Sequence, residues 1–136
     1  MPGRVNVVNL GRSDVPWADA NASGGPLGSA FLTAATSNGA GGWKDVSGLK
    51  SIWIEVIETA GGTATLTLQG TLNETNVYSL WTAPLAATFT YTATISITAN
   101  LAAYFTVRDI TPLMRASLAS IAGGASVSVN YYALPV

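Results

Sequence analysis

The chain has 136 residues, enough for one domain, with no cysteine, no histidine and a formal net charge of −1. Only 10% of the residues are charged against 49% hydrophobic, where an ordinary globular protein carries roughly 25% charged. These figures exclude disulfide stapling and thiol, imidazole or zinc chemistry from the chain's own side chains, and they offer no broad basic surface for nucleic acid.

Taken from the start, Met1–Leu10 is too short and too polar for a secretory h-region, and no later stretch approaches the ~18 apolar residues of a membrane span. The missing cysteines leave the redox compartment open, and a protein made in the cytoplasm that later works outside it fits equally well. Residues 1–43 read as a loop-rich N-terminal arm or wrap. Gly11–Trp17, Asn21–Pro26 and Ser37–Gly42 are dense in turn formers, and two β-like runs, Arg4–Leu10 and Ala30–Ala35, interrupt them.

Residues 44–136 read as the β domain. Ile52, Ile54 and Val56 alternate with Trp53, Glu55 and Ile57, and Thr65–Gln69 alternates cleanly. Val77–Trp81 follows as a shorter candidate. Phe89, Tyr91, Ala93, Ile95 and Ile97 alternate with Thr90, Thr92, Thr94, Ser96 and Thr98, which predicts one long strand with a hydroxyl-lined face. Ala103–Val107, Leu113–Ile121 and Ser126–Tyr132 complete seven or eight strands without a long helix. The fold class is therefore all-β, an antiparallel β-sandwich or jelly roll.

Two glycine pairs set expectations for register. A two-residue turn at Gly123-Gly124 places Leu118 opposite Val129 and Ala116 opposite Tyr131, apolar on apolar. An odd loop over Ala60-Gly61-Gly62 places Val56 opposite Leu66 and Ile54 opposite Leu68. Both segments thus read as hairpins, with positive φ at Gly123 and Gly124.

The reactive inventory is thin. Glu55 and Glu58 are three apart on a strand, so they point to opposite faces and cannot form a catalytic pair. Asp14 and Asp19 fit Asx-turns, and Asp45 and Asp109 fit strand ends. No Ser-x-x-Lys or Gly-x-Ser-x-Gly pattern occurs, and the glycine pairs lack the Lys-Ser/Thr of a phosphate loop. No enzymatic activity, metal or cofactor is expected. Of the four tryptophans, Trp53 and Trp81 fall on strands, as core or rim. Trp17 and Trp43 fall in loops, where a ring either plugs its own sandwich or anchors a contact.

The Asp45–Val56 segment and the closing runs Met114–Leu118 and Ser126–Tyr132, following a loop-rich arm, resemble the small β-sandwich virion proteins of tailed bacteriophages. The likeness is greatest to head decoration (cement) proteins. The resemblance implies a jelly-roll-like protein, often a homotrimer, on the outer capsid surface. Its partner would be the major capsid protein, whose capsomers it bridges, with no nucleic-acid or membrane partner. It implies no catalytic residue. The arm lacks the apolar periodicity to satisfy its own backbone groups, so it is a candidate for contacts with capsid or neighbouring subunits. Arg4, Val5, Val7, Arg12, Trp17 and Trp43 are the contact candidates. The opposing reading has Val5, Val7 and Leu10 forming an edge strand of the chain's own sandwich. A second functional reading is a receptor- or carbohydrate-binding module of a tail fibre or spike, with Trp17, Trp43, Tyr78 or Trp81 as stacking platforms.

Overall fold

In the computed structural model, which describes residues 28–135, every regular element is a β-strand. In chain order they are β1 (Gly28–Ala35), β2 (Gly39–Ala40), β3 (Lys44–Asp45), β4 (Leu49–Glu58), β5 (Thr63–Thr71) and β6 (Val77–Ser79). There follow β7 (Thr82–Pro84), β8 (Ile95–Ile97), β9 (Ala102–Val107), β10 (Leu113–Ala122) and β11 (Val127–Pro135). The expected Arg4–Leu10 strand lies outside the described residues.

All pairings between these strands are antiparallel, and they build two packed sheets. The first has the order β1-β11-β4-β9-β7. In the second, β10 and β5 form the centre. β2 and β3 share the outer edge of β10, and β6 and β8 share that of β5. The fold is an antiparallel β-sandwich. Residues 28–43, placed with the arm by composition, contribute β1 and β2 to it, and Phe31 of β1 stacks on Tyr131 in the core at 4.4 Å.

Alternation in sequence becomes alternation in burial. Ile52, Ile54 and Val56 face inward from the first sheet with Val127, Val129 and Tyr131. Leu66, Leu68, Met114, Ala116 and Leu118 meet them from the second. Each such aliphatic side chain contributes about 1.5–3 kcal/mol by leaving water.

The two expected hairpins do not form. β4 and β5 lie in different sheets, as do β10 and β11, so Ala60–Gly62 and Gly123-Gly124 lie in arches that cross the core. The residues named for pairing are paired, but with exchanged partners. Leu118 sits opposite Leu66 and Ala116 opposite Leu68, while Val129 sits opposite Val56 and Tyr131 opposite Ile54. The reason is physical: two strands whose apolar positions match can share one sheet, or face each other across a core, with the same pattern. Gly123 and Gly124 do have positive φ, 68° and 73°, but they serve an arch.

The long strand over residues 89–98 is also reduced. Only Ile95–Ile97 pairs with β5, and Thr92 makes an isolated bridge to Thr82. Its alternation survives in burial. Thr90, Thr92, Thr94, Ser96 and Thr98 are exposed, while Ile95 and Ile97 enter the core. Before Ile95 the segment is held by the reciprocal Thr82–Thr92 backbone bonds, with a bend at Ala93.

Candidate functional site

Glu58 is the last residue of β4 and points inward, buried, as its spacing from outward Glu55 predicts. Its carboxylate accepts backbone N–H groups from three loops. Ala60, Gly61 and Gly62 donate from its own arch at 2.8, 3.0 and 3.2 Å. Ser126 donates from the β10–β11 arch at 3.2 Å, and Asn100 from the β8–β9 turn at 2.8 Å. Asn100 takes positive φ, 58°, to do so. These donors, Asn100 foremost, outweigh burial and hold the carboxyl at about 2, below the ordinary 4.5. Every oxygen is engaged by the chain itself, so Glu58 is a structural staple at one end of the sandwich.

The outer face of the five-stranded sheet carries a different cluster. Glu55 sits between Asn130 of β11 and Tyr104 of β9, and in the next row Trp53 sits between Tyr132 and Thr106. The Tyr132 hydroxyl donates to Glu55 Oε1 at 3.0 Å, and Asn130 Nδ2 donates to the same oxygen at 3.3 Å. The Tyr104 hydroxyl also approaches Glu55, and that polar contact, followed by the carboxylate's negative charge, pushes the Tyr104 phenol up. For Tyr132 the bond to Glu55 leads, with burial next. Both phenols therefore stay protonated. Trp53, Tyr104, Tyr132 and Leu85 line a cleft of about 510 Å³ here. Leu85 is fixed by donating its N–H to the Tyr104 carbonyl at 3.1 Å.

A third feature occupies the lateral side where β6 and β7 are the edge strands. Among the described residues the exposed large hydrophobics are Leu72, Val77, Tyr78, Trp81, Leu85, Phe89 and Tyr104; Leu85 and Tyr104 belong to the cleft, and the others fall between residues 72 and 89. Among them Arg108 lies over Trp81 at 5.4 Å and over Tyr91 at 5.8 Å, and it pairs with Asp109 at 3.1 Å.

Of the residues singled out as contacts, Arg4, Val5, Val7, Arg12 and Trp17 lie outside the described residues. Trp43 lies between β2 and β3, half-buried, with the Arg115 guanidinium 4.3 Å from its ring centre. The rings named as sugar platforms are placed as follows. Trp43 and Trp81 each sit under an arginine, and Tyr78 is exposed on edge strand β6. Sequence reading missed the Trp53–Glu55–Tyr104–Tyr132 cluster. Its signal was the outward phase of three alternating strands, which only their mutual register brings together.

No protein-family model matches the chain, and no curated protein matches its sequence. Among solved structures it is similar to the SPBc2 prophage-derived protein YomS, with a TM-score of 0.59 and 14% identity, over 80% of this chain and 93% of that one. At that identity the likeness concerns the fold.

Proposed function

We propose that the chain is a non-enzymatic structural protein of a phage particle, a decoration (cement) protein that docks on the outside of the capsid and bridges capsomers, working as a small oligomer such as a homotrimer. The observation that carries this reading is the grouping of exposed apolar side chains between Leu72 and Phe89 on the β6/β7 side. A sparsely charged chain that leaves Leu72 74% exposed and Tyr78 63% exposed next to edge strands presents an interface, because such a rim in water favours association. The likeness to a prophage-derived sandwich and the lack of histidine and cysteine agree with a binding role. In this reading the segment before Gly28 adds contacts through Arg4 and Arg12.

The test is mass spectrometry of purified particles, with copy number set against the major capsid protein, followed by rebinding to stripped particles. Saturable rebinding is expected, weakened about tenfold or more by the double change Leu72→Asp and Tyr78→Asp, since interface centres tolerate charge poorly. Absence from particles, or rebinding indifferent to both changes, counts against the proposal. Analytical ultracentrifugation of the same variants reads the oligomer separately.

A further inference from the structure

The cleft on the five-stranded sheet differs in its electrostatics from the aromatic sites that hold the described arginines. The described arginines Arg108 and Arg115 each lie over aromatic rings. The Trp53, Tyr104 and Tyr132 cluster has instead the Glu55 carboxylate beside it, opposite Tyr104 and bonded by Tyr132, and among the described residues the ion pair present is Arg108–Asp109, elsewhere. Tyr132 and Asn130 both donate to Oε1 of Glu55, and a carboxylate has about four acceptor sites, so the group keeps capacity for a further donor. Aromatic faces and a carboxylate both place negative potential in one recess, the complement of a cation.

Geometry selects the kind of ligand further. The Tyr104 and Tyr132 rings are 6.5 Å apart and tilted by 55°. Such walls form a corner, where a sugar ring wants a flat platform. The Tyr132 hydroxyl and the Asn130 amide already donate to Glu55, so few groups remain to read hydroxyls. A planar guanidinium needs only π faces and one carboxylate oxygen, and it presents its donors in a fixed fork. We propose that this cleft is a socket for an arginine side chain of a partner protein, the guanidinium packing among Trp53, Tyr104 and Tyr132 and donating to the neighbouring Glu55 carboxylate. The socket is defined by its own chemistry and holds whichever surface the chain decorates.

The experiment uses the isolated full chain, so its failure leaves the particle-binding reading standing. The Trp53 indole resonance, assigned with Trp53→Phe, is followed by NMR during titration with N-acetyl-arginine amide, its neutral isostere N-acetyl-citrulline amide, and chitobiose. Saturable shifts at Trp53 with the arginine probe are expected, with a Kd on the order of millimolar for a single side chain. Citrulline should bind at least about tenfold more weakly, as should arginine to Glu55→Gln, because the charge-assisted bond is lost. Tyr104→Ala removes an exposed ring without touching the core and should abolish the response while the remaining spectrum stays folded. Equal binding of citrulline, preferential binding of chitobiose, or no shift at Trp53 would each overturn the socket.

Discussion

Glu58 shows how one residue settles the geometry of three loops. A buried carboxylate among hydrocarbon is costly unless its charge is met, and here five backbone N–H groups meet it, with no cation paired to it among the described residues. Its folded value of about 2 lies below the ordinary 4.5 expected when the chain unfolds. Its contribution is thus fully present above pH 4.5 and is lost as the pH falls from there towards 2. Asp45, lowered by the Ser47 hydroxyl and then the Ser47 N–H, acts in the same direction from an exposed site. Glu58→Gln isolates the buried group. The variant should be less stable at neutral pH, and its melting temperature should fall less steeply than that of the parent across the acid window. Parallel curves for the two proteins would show that the carboxylate's charge does not matter. Nothing in the sequence beyond the opposite phase of Glu55 and Glu58 marked this role. Two of the five donors come from backbone at positions 100 and 126, far away along the chain.

At the scale of elements, what was legible was phase, and what was not was partnership. The inward and outward sides of Ile52–Ile57, Leu113–Leu118 and even Thr90–Thr98 follow directly from their alternation. Which strand sits beside which depends on whether the chain turns within a sheet or across the core, and glycine pairs permit both. The two arches also pack on each other, and this makes their glycines unequal. A Cβ on Gly62 would press on the Ala122 carbonyl oxygen and lie 2.5 Å from the Ala125 nitrogen, so its constraint is space. Gly124 has open space around it and φ of +73°, so its constraint is conformation. Gly62→Ala should cost about 1–3 kcal/mol as overpacking against backbone, and Gly124→Ala nearer 1 kcal/mol for the left-handed residue. Urea denaturation of the two variants measures the order, and a harmless Gly62→Ala would mean the arches are not in contact. Ala34 gives the inverse case. It holds φ of 46° beside the irregular β1–β11 register while its N–H donates to Ser128 Oγ at 2.9 Å. Ala34→Gly keeps that bond, relieves the Cβ, and should raise stability by about 0.5–1 kcal/mol despite glycine's entropy. A loss of stability would place the strain elsewhere.

For the whole molecule the exchange of partners has a kinetic consequence. If β10 and β11 were a hairpin, folding would start from a short turn and zip outward within microseconds. Instead β11 pairs with β4, where Asn130 and Glu55 are 75 positions apart, and β10 pairs with β5. Neither arch makes ladder hydrogen bonds between its own two strands, so neither gains much until the other arrives. Long loops must close first, and their entropy is repaid only when both sheets form and the core between them dries. Refolding from urea should therefore be slow for a chain of this size, roughly milliseconds to seconds, as in other sandwiches dominated by distant pairings. An isolated peptide of residues 110–135 should be disordered by CD and show no nuclear Overhauser contacts between Leu118 and Val129. In the intact protein the same method should show Leu118 against Leu66 and Val129 against Val56. A peptide that forms a hairpin by itself, or a microsecond refolding phase carrying most of the amplitude, would contradict the arch topology at its root, because only local pairing could produce either result.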